Sequence, residues 1–166
     1  MLIDVNHESK LSKQGYGQFN TTTCWLACYR MLYRWKDRDE GKILEKLEAA
    51  GLSVKDLRAR GIDPRELPTA GSALGMCGWD GRLAKAWDLE QIVYLLHDYG
   101  PLFFTWDYGS SGHALLIVGF DSRNQQFKVY NPYNRFEVGT VDVEWMTADM
   151  FRSKLLKARW ALQAWW

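Results

Sequence analysis

Cysteine, histidine and proline are scarce in this chain, with three Cys, three His and four Pro among 166 residues. An odd number of cysteines, at positions 24, 28 and 77, is no disulfide framework. At least one thiol is free, which points to a reducing compartment. A structural zinc site would need four ligands at workable spacing. No CxxC or HxxxH occurs, so no metal is expected. An excess of charge of either sign is also missing: 21 Lys and Arg against 20 Asp and Glu leave a net charge of +1. That balance supplies no general force toward nucleic acid or an anionic membrane, and neither is expected as a partner. Long hydrophobic runs are absent too. The longest, Ala114 to Phe120, falls far short of the roughly 20 residues that span a bilayer. The N-terminal MLIDVNHESK lacks a basic start followed by an apolar stretch, so no secretory signal is read there.

What is present is ordinary globular material, with 47% hydrophobic and 25% charged residues. The length fits one domain over 1–166, and residues 1–17 read as an extended polar arm. Aromatics are heavy at 14%, nine of them Trp. Thr21-Thr22-Thr23 offers N-caps for a helix over Cys24 to Lys36, whose apolar positions Trp25, Ala27, Cys28, Met31, Leu32 and Trp35 suit burial on much of its surface. Further helices are predicted over Lys42 to Ala50, ended by Gly51, and over Ser53 to Arg60. Gly61 to Gly81 carries two Pro and five Gly, and reads as loop or lid with short helical pieces. Asp88 caps a helix through His97, stopped at Gly100-Pro101. The second half changes character. Leu102 to Trp106, Ala114 to Phe120 and Gln126 to Tyr130 read as three antiparallel strands, Thr147 to Leu156 as a helix, and Arg159 to Trp166 as a closing strand or an apolar tail. Helices first and a sheet later make an α+β fold with a cleft between the two halves.

Cys24 opens the first long helix, where the positive end of the helix dipole lowers a thiol's pKa. The common fate of a free Cys is nevertheless burial in a core, and Cys28, one turn deeper, is read that way. Cys77 has no functional case. A thiolate nucleophile needs a base that later protonates the leaving amine. His7 lies in the polar arm and reads as solvated, and His97 sits near a helix end. His113 stands between a Gly109-Ser110-Ser111-Gly112 loop and the most apolar strand, a position at a cleft edge. An imidazole base must be held in one orientation by a third group. Asn131 follows the next strand and Pro132 stops it. If the two strands form a hairpin through the turn at Asp121 to Asn124, His113 and Asn131 are neighbours. Gln18, six residues before Cys24, has a side-chain amide that can donate to an oxyanion beside the Cys24 backbone N–H. Each of these residues also has a plain reading: a core or turn histidine, an Asn-Pro turn and a solvated loop glutamine.

Gln18, then Cys24-Trp25 at a helix start, then Gly112-His113-Ala114 opening a strand, then Asn131 after the next strand, resembles the papain-like cysteine peptidases in residue types and in order. The resemblance implies Cys24 as nucleophile, His113 as general base and acid, Asn131 as orienter and Gln18 as oxyanion donor, with no cofactor or metal. The surroundings differ from the plant and lysosomal enzymes: Thr-Thr-Thr-Cys24-Trp25 stands in place of a Cys-Gly-Ser-Cys-Trp run, and Pro132-Tyr133 in place of Ser-Trp after the Asn. The chain is similar instead to the compact bacterial branch, the bacteriocin leader-processing peptidases and bacterial protease effectors. There the third residue is usually an Asp before Pro, and Asn131-Pro132 keeps the Pro with a neutral amide. That branch commonly cuts after small residues such as Gly-Gly.

The resemblance therefore implies a cysteine endopeptidase acting on a protein or peptide substrate, either resident in the cytoplasm or delivered into a target cell by a contact-dependent secretion machine. A toxic effector would bring an immunity or inhibitor protein that plugs the cleft. Two other classes stay open on the residues. A papain-fold amidase acting on peptidoglycan, a deamidase or a transglutaminase-like enzyme uses a similar Cys–His pair, although the cell-wall amidases commonly add a second His and none follows His113. A non-catalytic binding protein on a decayed peptidase fold would use the aromatic-rich surface. The terminal Trp165-Trp166 pair reads as packing rather than as a partner contact.

Overall fold

The computed structural model describes residues 2–109 and 112–165. Ser110 and Ser111 of the loop before His113, and Trp166 of the terminal pair, lie outside the described residues. Strands are β1 (Val5–Asn6), β2 (Met76–Trp79), β3 (Leu102–Asp107), β4 (Gly112–Asp121), β5 (Gln126–Asn131), β6 (Asp142–Thr147) and β7 (Leu162–Trp165). Helices are α1 (Cys24–Trp35), α2 (Ile43–Ala49), α3 (Val54–Arg60), α4 (Leu67–Ala73), α5 (Gly81–Ala84), α6 (Leu89–Tyr99) and α7 (Ala148–Lys154). The strands form one antiparallel sheet in the order β2-β7-β3-β4-β5-β6, and β1 adds to β4.

Period-two alternation sorts the sheet residues between two cores. Ala114, Leu116 and Val118 of β4, with Phe103, Tyr130 and Trp165, meet α1 to α4. Leu115 and Ile117, with Phe104, Phe127, Val129 and Leu162, meet α6 and α7 on the other side. The α1 helix is buried over most of its turns: Trp25, Cys28, Tyr29, Met31 and Leu32 are all fully covered. The architecture is the expected α+β one.

The β4–β5 pairing holds the feature on which the site depends. Near the turn Asp121 faces Gln126 and Gly119 faces Lys128, but further along Ile117 faces Val129 and Leu116 faces Tyr130. One extra residue, Val118, is absorbed in β4 as a bulge. Carried one step further, the shifted register sets Asn131 level with Leu115, which shares a strand face with His113. Without the bulge Asn131 would come level with Leu116 and point to the opposite face. Gly119, beside the bulge, admits β1: a Cβ there would lie 2.8 Å from Val5 O.

Three expectations need correction. The arm over 1–17 is not merely extended polar chain. Its β1 pairs with Phe120 and Gly119. The Glu8 carboxylate accepts from Lys128 Nζ and Tyr130 Oη of β5. His7 is not solvated. It is half-buried, with Nε2 2.7 Å from Leu96 O and its ring edge-on to Trp35. Burial holds its pKa below the ordinary histidine value. Within Gly61 to Gly81, α4 is one of the expected short helical pieces, but the loop or lid expectation overlooks the β2 strand. Gly78 obscures β2 in sequence, yet the strand needs it, because the Trp160 ring lies where a Cβ would project, 2.3 Å away. The closing strand expected within Arg159 to Trp166 is β7, which lies inside the sheet between β2 and β3. Trp165 is fully covered and donates from Nε1 to Leu32 O, which is packing.

The arm ends on a tight backbone contact. Gly15 and Gly17 both donate to Gly139 O at 2.9 Å. A Cβ at Gly17 would lie 2.5–2.6 Å from the backbone of Gly139 and Thr140. The Gly17→Ala protein should therefore lose about 1–3 kcal/mol of stability, the usual cost of forcing extra atoms into a packed contact. Urea unfolding checks this, and an unchanged midpoint would show that the arm is not seated as described.

Candidate active site

Cys24 is the first residue of α1 and is 7% exposed. Thr23 occupies the cap position, but its hydroxyl caps no amide and donates instead to Asn20 O. The first-turn N–H groups are thus left for other acceptors. The loop before them is held firmly. Trp25 Nε1 donates to Thr22 O at 2.9 Å, and Asn20 Oδ1 accepts from the Thr22 amide at 3.1 Å. Cys24 Sγ accepts the backbone amide of Ala114, the residue after His113, at 3.4 Å. That bond ties the helix start to the start of β4.

His113 Nε2 lies 2.7 Å from Asn131 Oδ1. The Asn131 amide is oriented from both ends. Its Oδ1 also accepts the Tyr133 N–H at 3.0 Å, and its Nδ2 donates to Glu144 Oε1 at 2.6 Å. A backbone N–H can only donate and a carboxylate can only accept, so the amide has one possible orientation. It follows that His113 donates its Nε2 proton to Asn131 and keeps the lone pair on Nδ1. The Tyr108 ring packs edge-on against the imidazole, with centroids 5.9 Å apart.

Gln18 is 7% exposed, and its backbone N–H donates to Pro132 O at 2.8 Å, one residue past Asn131. Its Nε2 donates one hydrogen to Asn20 O at 2.8 Å, while Oε1 has no partner. Gln18, Cys24, His113 and Asn131 line one cavity of about 680 Å³ between the helical layer and the sheet. The four residues singled out in the sequence are therefore brought to one place. Cys28 is fully buried beneath them, and Cys77 lies on β2, away from this cavity.

Three neighbours escaped the sequence reading. Thr105 lines the cavity with a buried hydroxyl that has no partner. Tyr108 flanks the imidazole. Glu144 sits behind Asn131 on β6, a polar strand with only one fully covered side chain, Met146, and hence a weak alternation signal. No local motif marks these three, because each gains its position only from strand pairing.

Electrostatics at the site correct one expectation. The helix start was expected to lower the Cys24 pKa. Burial instead pushes the thiol up, and the amides of Ala114, Trp25 and Cys24 only oppose it. Burial also lowers the His113 value, against the Asn131 hydrogen bond and the Glu144 charge, which raise it. The resting state so favoured is a neutral thiol beside a neutral imidazole.

A family model described as papain-like cysteine protease AvrRpt2 matches residues 5–149, a span that contains all four residues. No curated protein matches the chain.

Alkylation of Cys24 by iodoacetamide, located by peptide mass spectrometry, reads the link between sulfur and ring. Because the His113 value is lowered from 6.5, neutral imidazole is already abundant at pH 6.5 and wild-type alkylation should be fast at neutral pH. In His113→Ala burial, opposed only by the amides of Ala114, Trp25 and Cys24, governs the thiol. Alkylation should then rise only above the ordinary thiol value of 9.0. Superimposable pH profiles would mean that the ring does not serve the sulfur.

Proposed function

The chain belongs to the papain-like cysteine protease family AvrRpt2 and is a hydrolase, and from that premise we propose an endopeptidase in which Cys24, His113 and Asn131 form the catalytic triad and Gln18 the oxyanion site. The observation that carries the reading is the arrangement of the Asn131 amide, which leaves Nδ1 as the basic nitrogen of His113, a residue that lines one cavity with Cys24.

In this mechanism Cys24 Sγ attacks a peptide carbonyl carbon while His113 Nδ1 takes the thiol proton. The carbonyl oxygen becomes an oxyanion. It is bound by the Cys24 backbone N–H and by the second Nε2 hydrogen of Gln18, the first being held by Asn20. His113 passes its proton to the amine as the C–N bond breaks, leaving a thioester. Water then gives a proton to Nδ1 and adds to the thioester, and the carboxylic acid leaves as the thiol is reprotonated. Throughout, Nε2–H stays on Asn131, so the ring cannot rotate out of line.

A protease acts on protein substrates. The finer reading is an effector that cuts after small residues such as Gly-Gly, in the cytoplasm or in a target cell reached by contact-dependent secretion. The effector role is supported by the family's description. Small residues are supported by the recess of the sulfur, at 7% exposure, because the residue bearing the attacked carbonyl must reach almost to the cavity floor. An inhibitor or immunity protein for such an effector would fill this cavity.

Proteome-wide labelling of new N-termini in a lysate, with wild-type or Cys24→Ala protein added, tests activity and specificity together. Wild type should create new termini that share a preference for small residues before the cut. Cys24→Ala should create none while keeping the wild-type circular dichroism spectrum. Asn131→Ala should retain a weak activity, since it orients rather than reacts. Equal termini from wild type and Cys24→Ala would end the reading.

A further inference from the structure

Asn131 is neutral, yet the proton transfer assigned to His113 makes an imidazolium in a buried place. The charge that could stabilise it lies one residue further out. We propose that Glu144 is a positioning residue for the reaction, holding the Asn131 amide in the orientation that selects the His113 tautomer and setting its negative charge behind the ring. This inference rests on the peptidase reading above.

The geometry carries the argument. Asn131 Nδ2 donates to Glu144 Oε1 at 2.6 Å, the short distance of a charge-assisted bond. Asp142 is the residue directly opposite Asn131, and Glu144 follows two residues along β6 on the same face. Glu144 is half-buried, so its charge is only partly screened. Were the amide turned over, Oδ1 would face the carboxylate, two acceptors in contact, and Nδ2 would face both the Tyr133 N–H and the ring. Tyr133 N–H alone costs a flipped amide one bond, and Glu144 adds a charged one.

Among the described residues, the other ionisable groups near the ring are Cys24, Tyr108, Tyr133 and Arg60 of the cavity and Asp142 opposite Asn131, and none of their side chains is hydrogen-bonded to the ring or to the Asn131 amide. Cys24 comes from α1 and is neutral at rest. Tyr108 follows β3, and burial raises its phenol further from ionisation. Arg60 lines the same cavity but is engaged by both carboxylate oxygens of Glu66. Glu144 is the group whose charge draws the His113 value upward against burial, in company with the Asn131 bond. An anion behind the line His113–Asn131–Glu144 thus favours the protonated ring that the leaving amine requires.

The test titrates the His113 ring by NMR in the Cys24→Ala background, where no thiol couples to it and no turnover is needed. Glu144→Gln keeps shape and removes charge, and the His113 midpoint should fall by about half a pH unit or more. Glu144→Asp keeps the charge on a shorter arm and should move the midpoint back toward that of Glu144. With Cys24 present, Glu144→Gln should lower kcat by about tenfold with KM unchanged, since substrate binding is untouched. A Glu144→Gln midpoint equal to that of Glu144, or a Glu144→Asp midpoint as low as that of Glu144→Gln, overturns the proposal. Because the titration needs no substrate, it reads the Glu144 role whether or not the protein cleaves peptides, and loss of the peptidase reading shows separately in the labelling experiment.

Discussion

A single extra residue in β4 sets the strand pairing that brings Asn131 beside His113. The bulge at Val118 slips the β4–β5 register by one, so that Asn131 comes level with Leu115 rather than with Leu116. Side chains on neighbouring strands reach one another only when they share a face. With the bulge, His113 and Asn131 share one and lie 2.7 Å apart. Without it Asn131 would come level with Leu116, on the opposite face from His113. The bulge is stabilised from outside: β1 pairs at Gly119, and Glu8 of the arm engages Lys128 and Tyr130 on β5. The N-terminal arm is therefore part of the apparatus that aligns the histidine.

The same arm places the other flank. After the close contact at Gly17, the Gln18 amide donates to Pro132 O, and Pro132 follows Asn131. In the proposed mechanism the oxyanion side and the orienting side of the cleft are thus joined by backbone, and the Ala114 amide joins the sulfur to β4. A peptide carbonyl entering the cavity meets groups whose relative positions are set before it arrives. That prior fixing is the usual source of large rate effects at such sites. Burial raises the thiol value and lowers the imidazole value, which favours the neutral forms and spares the resting protein a separated charge pair in a low-dielectric pocket.

Much of this was legible in the sequence. The α1 helix announces itself through its apolar spacing, and the three central strands through runs of branched and aromatic residues. The hairpin logic from Asp121 to Asn124 is enough to bring His113 near Asn131, although the bulge that sets them on one face leaves no mark in composition. Other parts stayed hidden for physical reasons. The β2 strand carries Gly78 in its middle because Trp160 lies over it, and glycine inside a run reads as a loop. The β6 strand is mostly polar, so nothing in the sequence sets Glu144 apart from a surface charge. His7 looked solvated because its acceptor, Leu96 O, lies 89 positions away. The Cys24 pKa was read from the helix dipole alone, whereas burial, a tertiary property, outweighs it.

The most direct check of the central claim is a crystal structure of the protein reacted with a peptide aldehyde. The account requires a bond from Cys24 Sγ to the aldehyde carbon, with the resulting oxygen between the Cys24 amide and Gln18 Nε2 and with His113 Nε2 still on Asn131. An unmodified Cys24, or an adduct whose oxygen turns away from Gln18 while His113 has left Asn131, would contradict it.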